Sequence, residues 1–346
     1  TIVSGLRNTH KNFWECDTGI AYLVSGDPAW RTRRMTKIYD LSNPAQPKFI
    51  RDYGVAGQQP GSTGTVPTEL HGPISLGPKA NRVIFAHGTG SNGLVQIVDR
   101  EKLLNGPKEP TEANLKYPIV TQIDLAPESG THTALPLFGM PMPEFAKQKP
   151  PANRPQPGAN HEHGDTIPRL TAGGPHRDFL AIVGESTDEE CFENRQFVRM
   201  YDVTWEDKPM GVSTWTVPEA SGNFCERGGR FGAHSSHENT TPIFYGRLIF
   251  VTFFNAGLRV LDIRDPYKMH EVAYYIPATT DKTDERCIGE GPTERCKIAI
   301  QSNNAEVDDR GYIYIADRAN TGLHIVELTG AARQIANFPG QSTAQR

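Results

Sequence analysis

One pattern returns five times along this 346-residue chain, and it limits the fold more than any single motif. Each copy holds a β-rich run ending in a small or polar turn, a second run with Asp near its end, and a third run. The first copy reads Gly19–Val24, Lys37–Ser42 and Lys48–Tyr53, and the second Arg82–Ala86, Gly93–Asp99 and Ile119–Asp124. The third reads Phe179–Gly184, Phe197–Val203 and Gly211–Trp215. The fourth is the clearest, with Arg247–Val251, Gly257–Ile263 and Glu271–Tyr275, and the fifth is Gly311–Ala316, Gly322–Leu328 and Arg333–Asn337.

Consecutive runs of this kind are antiparallel meanders, and a single meander cannot cover both faces of its own sheet. Stacking the sheets radially covers them, so the sequence predicts an all-β chain folded as one β-propeller domain over 1–346. Five long blades account for the visible copies, and six or seven follow if degenerate blades hide in the irregular stretches. The main such stretch, about 126–178, carries Pro136–Pro143 and a proline-rich 149–158. Its prolines and sparse β runs predict a long surface insertion. The 33 glycines and 27 prolines fit many turns between short strands. Lys102–Leu104, after Asp99, is the one stretch expected to make a helical turn.

These residues also carry a resemblance. Gly257–Pro266, Gly322–Leu328 and Lys37–Pro44 followed by Pro47 resemble the bacterial LVIVD-repeat β-propeller proteins. The resemblance covers most of 19–337, is strongest in the last two copies, and departs in the second and third. It implies the propeller fold and export, and it transfers no activity and no catalytic residue.

Composition removes several function classes. No apolar run approaches the roughly 20 residues of a spanning helix. A net charge of −4 with scattered Lys and Arg lacks the basic stripe that nucleic acid would need. Cys287 and Cys296 bracket a Gly/Pro/Glu loop that a disulfide can close, which predicts an oxidising compartment, periplasmic or secreted. A chain beginning at Thr1 fits a mature exported product. Cys191 and Cys225 can pair across neighbouring blades, leaving Cys16 over. A metal on Cys287 and Cys296 is disfavoured, because no second closely spaced pair accompanies them.

The stretch before each first run is expected to be the innermost strand, lining the central channel. Those stretches are Arg7–Asn12, Thr68–Gly72, Asn160–Asp165, Ala233–Asn239 and Gln301–Glu306. They carry six of the 11 histidines: His10, His71, His161, His163, His234 and His237. Neutral imidazole ligates zinc, copper or iron, so these six are the candidate metal ligands, with Glu162 and Glu238 as candidate proton-moving residues. His161 and His163 alternate and can face one side of a strand, whereas His234 and His237 need a bulge or turn to do so. A wet channel also satisfies such side chains without a metal. His87, His132, His176, His270 and His324 fall outside this set. Arg227 and Arg230 either hold an anionic substrate or pair with Glu226 and Glu238. Val307–Gly311 reads as a tight turn rather than a calcium loop. Two functions follow: a metal-dependent enzyme, oxidoreductase or hydrolase, acting on a small molecule, or a propeller scaffold that binds a protein partner.

Overall fold

The computed structural model describes residues 2–145, 147 and 175–339. It is all-β, and its five meanders are the blades of a β-propeller. The chain divides into two compact units, 1–178 with 202–210, and 179–201 with 211–346.

In the first unit, β1 (Phe13–Trp14), β2 (Ile20–Ser25), β3 (Met35–Asp40) and β4 (Lys48–Tyr53) form one sheet in chain order. β5 (Leu70–Ser75), β6 (Arg82–His87), β7 (Leu94–Asp99) and β8 (Ile119–Asp124) form the next. Three short helices, α1 (Gly77–Ala80), α2 (Arg100–Asn105) and α3 (Glu112–Lys116), edge that second blade. α2 holds the anticipated turn, capped by Asp99, whose side chain accepts the Lys102 amide at 3.0 Å. Tyr22, Met35, Ile38 and Tyr53 of the first blade share a core with Leu70, Val83, Phe85 and Val98 of the second. This is the mutual burial that an isolated meander lacks.

β9 (Thr133–Pro141) also lies in this unit. It falls inside the stretch whose prolines predict a surface insertion, yet its first five residues are buried. Pro136 and Pro141 sit within the strand, as Pro73 sits within β5, so proline here marks strands rather than excluding them. Residues 148–174 lie outside the described residues.

The third meander continues through β10 (His176–Val183), β11 (Val198–Asp202) and β12 (Met210–Trp215), mostly in the second unit. The fourth holds β13 (Leu248–Thr252), β14 (Leu258–Asp262) and β15 (His270–Tyr275). A disulfide-bridged hairpin, β16 (Glu285–Ile288) and β17 (Arg295–Ile298), precedes the fifth, which is β18 (Ser302–Val307), β19 (Tyr312–Asp317) and β20 (Leu323–Glu327). A fourth strand was expected at 333–337. Helix α4 (Gly330–Ile335) takes its place, since Ala331, Ala332, Arg333 and Gln334 are strong helix formers.

The recurrent Asp has a local purpose. Asp40, Asp202 and Asp262 each end a third strand, and each accepts the amide two residues on, at 2.9, 2.9 and 3.0 Å. An Asx turn thus reverses the chain toward the outer strand. Two disulfides are present, Cys191–Cys225 and Cys287–Cys296, with Cα separations of 5.5 and 4.0 Å, and Cys16 is free.

Candidate metal centre

The inner strands of the first unit lie side by side, β1 against β5 and β5 against β9. A histidine stands at the start of each: His10 shortly before β1, His71 second in β5, and His132 directly before β9. His71 owes its direction to a bulge. Leu70 pairs with His87 and Gly72 with Ala86, so His71 is the extra residue of the inner strand. A bulge re-aims a side chain that the regular pleat would send elsewhere.

The three rings meet. His10 Nε2 lies 3.1 Å from His71 Nε2, with the rings edge-on at 80° and 4.5 Å between centroids. The His71 and His132 rings lie 3.8 Å apart at 41°. One nitrogen from each of the three falls within 4.8 Å of the other two. His71 and His132 are buried, while His10 is exposed, so the cluster has one open side.

Its surroundings set protonation and orientation. Burial first, then the nearby Arg34 and Lys11 cations, push His10 down to about 4, leaving a neutral ring at pH 7. His132 Nδ1 lies 3.0 Å from Thr133 Oγ1, which also accepts from Lys11 Nζ at 2.9 Å. Lys11 Nζ also lies 3.4 Å from the same Nδ1, so Thr133 and Lys11 together fix the orientation of the His132 ring.

Of the residues singled out in the sequence, His10 and His71 come together. His161, His163 and Glu162 lie outside the described residues. In the second unit, 234–237 pair with β13 as an inner strand, through Ser236 opposite Val251. There His234 Nδ1 bonds the Asn303 carbonyl and its Nε2 lies 3.8 Å from Glu185 Oε1. His237 points elsewhere: its Nδ1 accepts the Phe250 amide at 3.2 Å, and burial pushes it down to about 4. The two diverge, as their spacing on a strand requires. The backbone amide of Glu238 donates to Glu306 Oε1 at 3.1 Å. Arg230 pairs with Glu185 at 3.1 Å instead of an expected partner, and Arg227 donates to the Gly222 carbonyl and stacks on Phe224. Asp308 accepts the Arg310 and Tyr312 amides, making the anticipated turn.

His132 is the member that sequence reasoning left out. The signal was present as a period: 61 residues separate His10 from His71, and 61 separate His71 from His132.

The fold therefore defines a β-propeller protein. Within it, the LVIVD repeat family matches residues 244–276, spanning β13 to β15, so this is a propeller that carries the LVIVD repeat. No curated protein matches the chain. Among solved structures, it is similar to a functionally unknown protein from Desulfotomaculum acetoxidans DSM 771, at 8% identity and TM-score 0.46, covering 97% of this chain and 70% of that one. The β-propeller domain of Myceliophteria thermophila Cps50 (Swd1) is similar at 11% identity and TM-score 0.40, covering 94% and 84%. A calcium-binding protein, regucalcin, from Agrobacterium tumefaciens str. C58 is similar at 8% identity and TM-score 0.38, covering 94% and 76%. Values this low bear on no activity. No helix among the described residues is long and apolar enough to cross a membrane.

Proposed function

We propose that this propeller binds one transition metal on His10, His71 and His132 and uses it as a metal-dependent enzyme, acting on a small molecule in an oxidising compartment outside the cytoplasm. The carrying observation is the convergence of three imidazoles from three inner strands. The spacing of His10 and His71 suits a metal: with bonds of about 2.05 Å, ligand atoms lie roughly 2.9 Å apart in an octahedron and 3.3 Å in a tetrahedron. The 3.1 Å between His10 and His71 falls between these values. Without a metal, the same two nitrogens share one hydrogen bond.

Each residue then has a part. His71 and His132 are buried and fix the site, while His10, at the open side, leaves room for substrate or water. Thr133 orients His132, and Lys11 beside it supplies a cation for a developing negative charge. Copper or iron would supply redox chemistry, and zinc Lewis-acid chemistry for hydrolysis. Two disulfides support export, since such bridges persist in oxidising compartments.

The test is elemental analysis of protein purified without added metal. One equivalent per chain is expected, lost on replacing His71 and His132 together by alanine with the circular dichroism spectrum retained. Metal-free, correctly folded protein that takes up no added zinc, copper or iron would leave the non-catalytic scaffold as the function.

A further inference from the structure

Arg230, Arg286 and Arg318 are gathered within the second compact unit, close enough to repel one another. Arg230 lies shortly before the inner strand at 234–237, Arg286 in β16 of the disulfide-bridged hairpin, and Arg318 directly after β19. Two of them share a platform. The ring of Phe254, in the turn between β13 and β14, is buried and lies 4.7 Å from the Arg318 guanidinium carbon and 5.7 Å from that of Arg230. Phe254 takes a φ of 38°, a left-handed conformation costly for an aromatic residue, and its carbonyl is held by the Ser302 amide at 3.0 Å.

The hydrogen bonds of these arginines fall short of what they can make, since each guanidinium carries five N–H donors. Arg230 uses only Nη1, which donates to Glu185 Oε1 at 3.1 Å and to the Ser186 carbonyl at 3.2 Å. The Arg318 guanidinium donates to no described residue of its unit. Glu185 Oε1 lies 3.8 Å from its Nη1, beyond hydrogen-bond reach. Arg286 donates from Nη2 to the Arg318 carbonyl at 3.1 Å, and its buried Nε has no partner among the described residues. Burial first, then the like charge of Arg230, hold Arg318 below the usual guanidinium range. Its counter-charge is incomplete.

We infer that Arg318 and Arg230, beside Phe254, form a binding site for the carboxylate group of a small molecule. Glu185 shows the chemistry these residues accept: its Oε1 is held by Arg230 and approached by Arg318 and by His234 Nε2, each at 3.8 Å. A planar carboxylate takes two parallel N–H bonds from one guanidinium, and Arg318 has such a pair of donors unspent. The neighbouring acids narrow the choice of anion. Glu185 and Glu189 both act on the same arginines, so a singly charged carboxylate is accommodated where a phosphate dianion is repelled. None of these residues belongs to the histidine cluster of the first unit, so the site does not depend on the proposed metal.

Isothermal titration calorimetry of the full chain with acetate at pH 7, in a buffer free of other carboxylates, tests it. Saturable binding is expected with a dissociation constant of about 10⁻³ M, within what so small a ligand can reach. Inorganic phosphate should bind about tenfold more weakly. Arg318→Gln should weaken acetate binding about tenfold or more, the loss of a charged hydrogen bond. Arg318→Lys keeps the charge without the fork, should fall between the parent and Arg318→Gln, and carries the test if the glutamine variant does not fold. Acetate held on a metal instead would be indifferent to Arg318. No saturable acetate binding, binding unchanged by both substitutions, or phosphate bound as tightly as acetate overturns the inference.

Discussion

A Cβ placed on Gly72 would lie 2.9 Å from the Cβ of Lys11, closer than real side-chain carbons approach. Gly72 follows His71 in the bulge, and Lys11 follows His10, so the absence of one methyl group lets the N-terminal segment bring His10 to its partner. Gly72→Ala should push Lys11 outward and lengthen the His10–His71 separation. Metal affinity, measured by competition with a chromophoric chelator, should fall about 10- to 100-fold, as when other supports of a metal ligand are removed. The overpacking should also cost about 1–3 kcal/mol of stability. Unchanged affinity would separate His10 from the ligand set.

Glu15 anchors the first blade to the second from the other side of the same inner strands. It is buried and accepts from Arg100 at 2.7 and 2.9 Å, from Tyr22 at 2.9 Å, and from Ser75 and Thr18. Burial pushes its carboxyl up, but the hydrogen bonds from Arg100, Ser75 and Thr18 outweigh that and hold it below the usual range. Glu15→Ala leaves the Arg100 guanidinium buried without its partner, and chemical denaturation should show a loss of about 3–5 kcal/mol. A loss under 1 kcal/mol would mean that water replaces the carboxylate.

The fold was legible because repetition states it five times over: β2, β6, β10, β13 and β19 each overlap a first run read from the sequence. Hydrophobic pattern, however, does not report covalent reversals or bulges. β9 was hidden by Pro136 and Pro141, residues that argue against a strand unless its context is already known. α4 replaced an outer strand because local helix propensity prevailed where no neighbour demanded a strand. For the site, the inner position of the histidines was readable and their aim was not. Asn303 occupies the same bulge position in β18 as His71 in β5, so one geometry carries an imidazole of the three-histidine cluster in one blade and, in another, an amide that donates to Asn304 Oδ1. His132 needed the 61-residue spacing, which local motifs do not display.

The two disulfides should differ in what they hold. Cys191–Cys225 closes 34 residues and Cys287–Cys296 closes 9, which in the chain-entropy account corresponds to about 4 and about 3 kcal/mol. The second bridge also joins facing residues of an exposed hairpin, Cys287 opposite Cys296, whose opening need not disturb either core. Replacing Cys191 and Cys225 by serine should therefore lower the melting temperature more than replacing Cys287 and Cys296. Differential scanning calorimetry of the two double variants checks this, and the reverse order would place the hairpin in the cooperative core.

His87 makes the stability of the first unit depend on acid. It ends β6 at 1% exposure, its ring 6.4 Å from that of Phe85, and neither ring nitrogen has a hydrogen-bond partner among the described residues. Burial alone pushes it from 6.5 down to about 3. The folded state thus binds fewer protons than the unfolded chain below pH 6.5, and stability must fall as pH drops from 6.5 toward 3. The contribution reaches about 2 kcal/mol near pH 5, from a cost of about 1.4 kcal/mol per pH unit below the unfolded value. His87→Leu keeps a similar volume and removes the titration. Urea denaturation at pH 7 should find the variant at least as stable as the parent, since an unsatisfied polar ring has gone. Between pH 7 and pH 5 the parent should lose about 2 kcal/mol more than the variant. The other buried histidine with a depressed value, His237, is common to both proteins and cancels in the difference. Parallel stability curves over that interval would show that His87 already holds its proton in the folded state.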